Sequence, residues 1–307
     1  MKIAVLKDTA ASIRARLLEH AKRNGDDYQR VLTRYAIERL LFRLTQTAAA
    51  ERYVLKGAML FVTWPEHIFR PTGDLDLLGN GDPSPDAIHQ LFTSICRVEV
   101  PDDGIIFAPD SLKIEPVREA DKYRGVQLTL KGDVAKARVH VQVDIGFGDH
   151  VYPRPTLRIF PTLLPDLPAP LILMYPPETV IAEKFEAMIR FGESNGRLKD
   201  FHDIWITTRT FSFELSSLVE AVGGTLKRRE TDFPRGIPAG LDQGFALIVE
   251  QRGLWRAFLR RSPPVFQPPS FENVQLELRR FFGPVIASLA HPEAAKGRWD
   301  PHGGLWQ

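Results

Sequence analysis

Asp74 and Asp76 flank a single leucine in the run GDLDLL, residues 73–78. In an extended strand successive side chains alternate, so both aspartates project from one face while Leu75 and Leu77 point into a core. Two carboxylates at that spacing repel each other unless a cation lies between them. Their hard oxygens suit Mg²⁺ or Mn²⁺, and Mg²⁺ is usually bound by one or two carboxylates together with substrate phosphates. The chemistry this points to is metal-assisted handling of a nucleotide. Solvent-facing alternation on an edge strand explains the same D-x-D by itself. The flanks, Lys56-Gly57 before it and Arg70-Pro71-Thr72-Gly73 at the strand start, favour the site.

Four further groups carry candidate chemistry. In the strand ARVHVQVDIGF, Val139, Val141, Val143 and Ile145 share one face, and His140, Gln142 and Asp144 share the other. Asp144 would be a third metal ligand if its strand adjoined that of Asp74 and Asp76. In the helix expected over 178–190, Lys184 falls between Val180 and Met188, inside the apolar arc. Such a lysine either snorkels or aims its ammonium at a phosphate or carboxylate. On the phosphate reading, Lys184→Met is expected to fold at least as stably as the native chain. Asp200 and Asp203, beside Lys199, lie three residues apart on one helix face, which a solvated acidic face explains equally. Lys227-Arg228-Arg229 is a compact basic cluster, a weak candidate for an RNA backbone.

These residues need elements to hold them. Helices are expected at about 9–22 and 27–44, the second with Arg30, Arg34, Arg39 and Arg43 on a mostly solvated face. An apolar helical run opens at Lys56-Gly57. Strands follow from Ser111 to Gly148, with a hairpin connection at Gly132-Asp133. Residues 161–177 are proline-rich and read as a linker. Helices follow at about 178–190, 195–209, 241–260 and 271–289. The expected organisation is an α/β nucleotide-handling domain over 1–160, including helices in 8–45, a helical domain over 178–290, and a flexible tail over 291–307.

With 44% hydrophobic and 25% charged residues, the 307-residue chain has an ordinary globular composition. A net charge of +2 advertises no polyanion partner, so any basic surface must be local. The single cysteine, Cys96, excludes an intramolecular disulfide and a Cys-rich zinc site. No P-loop motif is present, and Gly79-Asn80-Gly81 lacks the third glycine of a dinucleotide fingerprint. No apolar run approaches the ~20 residues of a membrane span. A cytoplasmic protein is expected.

The blocks LTRYAIERLLFRL (32–44), YVLKGAML (53–60), RPTGDLDLLG (70–79), VQVDIGFGD (141–149), YPPETVIAEKFEAMI (175–189), RLKDFHDIW (197–205) and TLKRRETDFP (225–234) resemble, in order and spacing, the AbiEii/AbiGii-type nucleotidyltransferase toxins of type IV toxin–antitoxin systems. The resemblance implies a nucleotidyltransferase fold with a mixed sheet and a helical C-terminal domain. It implies transfer of NMP from an NTP to an acceptor hydroxyl, tRNA or another RNA, with Mg²⁺ or Mn²⁺, and an antitoxin encoded alongside. Residue by residue, it makes Asp74, Asp76 and Asp144 metal ligands, and Lys56, Gly57, Arg70 and Thr72 nucleotide contacts. Lys184 and Asp200 become catalytic groups, with Lys199 and Asp203 beside the nucleotide. Ala58 stands where many nucleotidyltransferases have serine, which removes a phosphate-binding hydroxyl, and Leu226 replaces an aromatic residue. Two other readings fit the same carboxylates: a non-catalytic nucleotide- or RNA-binding module, and a metal-dependent nuclease.

Overall fold

The computed structural model describes residues 8–64, 72–117, 125–261 and 266–307. Arg70 lies outside them. Two compact units result, one of Met1–Thr63, Thr72–Gly148 and Leu157–Met174, the other including Asp149–Thr156 and Tyr175–Gln307 with Trp64.

The first unit opens with α1 (Thr9–Asn24), whose first turn is capped by Asp8 accepting from the Ala11 N–H. In α2 (Tyr28–Thr45) Asp27 does the same for Arg30. Of the α2 arginines expected on a mostly solvated face, Arg30 is exposed and Arg34 half-buried, but Arg39 and Arg43 are buried. Arg39 is fully buried against the equally buried Glu38 at 2.7 Å, and Arg43 grips Asp103 through two bonds of 2.6 and 3.0 Å. The reason is packing: α2 lies against the sheet and is buried over most of its circumference, so its inward charges need partners. Glu38 also accepts from the Leu163 N–H, and Arg39 donates to the Pro168 carbonyl, which ties the proline-rich 160s to α2.

The remaining elements of this unit are β1 (Tyr53–Lys56), β2 (Asp74–Gly79), α3 (Pro85–Cys96), β3 (Ile105–Val117), β4 (Gly125–Val134), β5 (Ala137–Phe147), β6 (Thr156–Ile159) and β7 (Leu171–Met174). They form a seven-stranded mixed sheet in the order β3-β4-β5-β2-β1-β7-β6. The β2–β5 and β1–β7 pairs are parallel; β1–β2, β3–β4 and β4–β5 are antiparallel. Three local expectations change. Lys56 ends a strand instead of opening a helix, and Gly57 turns the chain into a six-residue 3₁₀ segment, Ala58–Thr63. The hairpin turns at Ala135-Lys136, both at positive φ (48° and 68°), and not at Gly132-Asp133; Asp133 instead accepts from the Lys136 N–H at 2.7 Å. The expected linker contains β7, because the apolar run LILM outweighs the prolines around it and pairs with β1.

The second unit is built from α4 (Pro177–Phe191), α5 (Leu198–Thr210), β8 (Phe213–Glu214), α6 (Leu215–Arg228), α7 (Gln243–Gln251), α8 (Leu254–Arg261), α9 (Phe271–Ser288), β9 (Arg298–Asp300) and β10 (Leu305–Trp306). Its core joins Phe185, stacked on Phe282, with Phe201, Trp205, Leu218 and Phe271. The helix expected over 241–260 is two helices, broken where Gly253 takes φ 61°. The tail expected to be frayed is ordered: β9 and β10 join β8 in a small sheet. Trp299 is buried with its indole N–H on the Thr208 carbonyl at 2.7 Å, and burying that ring outweighs the glycine-rich composition around it. Among the described residues no helix is long and apolar enough to cross a membrane.

Candidate active site

Strand register decides which candidates meet in the first unit. Lys56 on β1 is the partner of Asp76 on β2, Asp76 is the partner of Asp144 on β5, and Asp144 is the partner of Gln127 on β4. Partners across a ladder project to the same face, so these four form one row across four neighbouring strands. One step away, Asp74 pairs with Gln142, which pairs with Thr129. The apolar alternates Leu75, Leu77, Val143 and Ile145 are buried on the opposite face. Asp76 and Asp144 are half-buried, and Asp74 is exposed.

Asp144 is oriented by two neutral amides. The Gln127 side chain donates to Oδ1 at 2.9 Å, and Gln142 reaches Oδ2 at 3.2 Å. Gln127 escaped notice in the sequence because only the true position of the β4–β5 turn places it opposite Asp144. Gly57 is held at φ 69°, and a Cβ there would fall 2.0 Å from Oδ2 of Asp76. Backbone and carboxylate therefore approach closely only because the residue is glycine. Thr72, half-buried, lies two residues before β2.

This row offers oxygen donors of the type a hard divalent cation prefers. Among the described residues no group of three His, Cys, Asp or Glu side chains converges on one point, so Asp74, Asp76 and Asp144 do not form a closed cage. The neighbouring pair Asp76 and Asp144, with Asp74 one step along, still fits a Mg²⁺ ion whose shell is completed by phosphates and water.

The second unit holds a different constellation. The Lys184 ammonium lies between Asp200 at 2.9 Å and Asp203 at 2.8 Å, both fully buried. Arg197 reaches the other oxygen of Asp200 at 2.7 Å, and His202 Nδ1 lies 3.4 Å from Asp203. Lys184 thus faces carboxylates, and Asp200 and Asp203 are not a solvated face. Burial pushes the Asp200 carboxyl upward, but Lys184 and Arg197 outweigh it and hold the group below the usual range. Lys199 is exposed on the same helix.

The basic cluster is divided. Lys227 and Arg228 are exposed, whereas Arg229 is drawn inward to Glu186 at 2.8 Å, with Asp149 and Glu183 at 3.5 and 3.6 Å. Glu186, fully buried, also accepts from Thr231. Arg229 is therefore committed to an internal network and is withdrawn as an RNA contact. Tyr175 donates to Asp149 in the same network, and burial, then Glu183 and Asp149, hold its phenol well above the ordinary range.

A family model described as "Nucleotidyl transferase AbiEii toxin, Type IV TA system" matches residues 39–275, a span containing Asp74, Asp76, Asp144, Asp200 and Asp203. The chain belongs to this family. It is a nucleotidyltransferase of the AbiEii toxin type, as the sequence resemblance implied. A search of curated proteins returns no match. Among solved structures, JHP933 from Helicobacter pylori is 13% identical, with a TM-score of 0.51 over 87% of this chain and 96% of that one. A second H. pylori structure, described as a candidate nucleotidyltransferase, is 14% identical with a TM-score of 0.49 over 86% and 97%. The JHP933 likeness concerns the fold, and it agrees with the mixed α/β class expected from the sequence.

Proposed function

We propose that this AbiEii-family enzyme transfers NMP from an NTP to a hydroxyl of an RNA acceptor, of which tRNA is the leading candidate, and releases pyrophosphate in the cytoplasm. The observation that carries the reading is the row Lys56–Asp76–Asp144, which lines up one cationic and two anionic groups on three adjacent strands. Asp76 and Asp144, with Asp74, would hold Mg²⁺ or Mn²⁺, which when bound neutralises phosphate charge and lowers the pKa of an attacking hydroxyl. Gln127 and Gln142 keep the Asp144 oxygens aimed without adding charge. Gly57 leaves room beside Asp76, where its backbone and the Lys56 ammonium suit nucleotide phosphates, and Thr72 and Arg70 lie in the same sequence block. In the second unit Lys184 and Asp200 remain the catalytic candidates, with Asp203 and Lys199 beside them. Asp200 and Asp203 fix the Lys184 ammonium in place. An antitoxin encoded alongside is the expected protein partner.

Incubation of the purified protein with labelled NTP, Mg²⁺ and total tRNA tests the reading. Extension of the RNA supports it; cleavage supports the nuclease, and retention without extension the binding module. Asp76→Asn should abolish extension while changing stability by less than ~0.5 kcal/mol, since the side chain is outside the hydrophobic core.

A further inference from the structure

The end of α7 and the surface of α8 carry an arginine ridge that the proposed reaction has not used. Arg252, Arg256 and Arg260 recur every four residues, all exposed, with Arg261 adjoining and exposed as well. Arg256 and Arg260 stand about one turn apart on α8, roughly 6 Å along its axis, and Arg252 closes α7 just before the break at Gly253. Residues 252–261 include no Asp or Glu. Arg252, Arg256 and Arg260 make no ion pair or side-chain hydrogen bond among the described residues, and Arg261 only returns to the Ala257 carbonyl. Four other helix arginines lie against a carboxylate about one turn away, Arg23–Glu19, Arg30–Asp26, Arg190–Glu186 and Arg197–Asp200.

Helix dipoles account for part of the ridge. Arg252 sits at the C-terminal end of α7, and Arg260 and Arg261 occupy the last turn of α8, where cations are favoured. Arg256 is in the first turn of α8, where the dipole opposes it, and its position needs another reason. The apolar side of α8 does not supply a membrane anchor, because Trp255 and Phe258 are buried and the Trp255 N–H is bound to the Pro269 carbonyl. What remains is a row of planar, permanently charged forks suited to successive phosphates of a polyanionic strand.

We infer that the arginines at the α7–α8 junction and along α8, Arg252, Arg256 and Arg260 with Arg261, are the surface that grips the phosphate backbone of the RNA acceptor. The RNA assignment rests on the proposed reaction; the phosphate-binding assignment rests on the ridge. Such contacts position the strand without reading its bases, so they should act alike on all RNA sequences.

The test uses fluorescence anisotropy of labelled total tRNA across a salt series, on the full chain carrying Asp76→Asn so that binding is read without turnover. Replacing Arg252, Arg256 and Arg260 together by Gln should reduce the slope of log K against log salt by about two to three. The corresponding triple Lys variant should keep the slope. Replacing the acid-paired Arg23, Arg30 and Arg190 by Gln provides the control and should leave the slope unchanged. An unaltered slope in the ridge variant, equal loss in the control variant, or no tRNA binding by the parent would each overturn the inference. So would a ridge that binds phosphatidylserine vesicles while tRNA binding is untouched. NTP turnover on the catalytically intact chain is measured separately: failure of transfer with retained, ridge-dependent RNA binding refutes the reaction and leaves the surface standing.

Discussion

The two units use carboxylates in opposite ways. On the sheet of the first unit, Asp76 and Asp144 are half-buried neighbours, and the amides that orient Asp144 carry no charge. In the helical unit Asp200, Asp203 and Glu186 are fully buried, and each is matched by Lys184, Arg197 or Arg229. At Asp144, negative charge left partly in water and oriented by neutral donors remains available to an incoming cation. Negative charge that is desolvated and paired also holds the fold, whatever else it does, because breaking such a pair leaves an uncompensated ion in a medium that solvates it poorly. Substitutions of similar chemistry should therefore spare stability in one unit and cost it in the other.

The sharpest way to break this contrast is Lys184→Met. The sequence pattern, a lysine in an apolar arc, suggests that the substitution is harmless to folding. The structure reverses this, since two buried carboxylates lose their shared cation. A loss of about 3–5 kcal/mol is expected in urea unfolding. A midpoint equal to that of the native chain would mean that the helical cluster, too, is held ready for a ligand.

Gly57→Ala comes next. The new methyl would meet the Asp76 carboxylate at 2.0 Å and would sit at φ 69°, so either the strand end or the carboxylate must move. A destabilisation of about 1–3 kcal/mol is expected from the backbone, with most transfer activity lost as well. Unfolding midpoint and labelled-NTP turnover on one preparation check both.

Gln127→Leu sharpens the sheet side of the comparison. It removes one donor to Asp144 and no charge. Turnover should fall about tenfold, and the Mg²⁺ concentration for half-maximal rate should rise, while the unfolding midpoint stays nearly fixed.

The smallest effect concerns acid. The Asp200 carboxyl is lower in the folded protein than in the unfolded chain. Its stabilisation is fully present above the unfolded value of about 3.9 and is lost as pH falls through the folded value. Urea midpoints measured from pH 6 to pH 3 should drop below about pH 4, and Asp200→Asn should reduce the steepness of that drop.

Alternation along strands made the chemistry on the sheet legible: Asp74 with Asp76, and Asp144 with Gln142, could be placed on faces directly from the sequence. Which strands adjoin is a long-range fact, and periodicity does not carry it. Glycine at 132 suggested a turn, yet the chain turns at Ala135-Lys136, and that shift decides that Gln127 faces Asp144. Helical charge is less legible. Arg39, Arg43 and Glu186 look like surface residues because charge usually is, and only tertiary packing shows that each is buried beside a partner, with half-buried Arg229 drawn in to Glu186. The C-terminal tryptophans were hidden for a related reason: glycine-rich surroundings resemble a loose end until Trp299 finds its place between Phe281 and Trp306.

The two-residue turn at Ala135-Lys136 has a consequence for how this chain can vary. Its side chains are tolerant, but its length is not, because strand side chains alternate with period two. Removing or adding one residue there would turn Gln127 to the other face or slide it past Asp144, with no change at either position. An insertion scan through the β4–β5 connection should therefore find a sharp length threshold where a substitution scan finds little. In this loop the count of residues, and not their identity, sets the aim of the carboxylate.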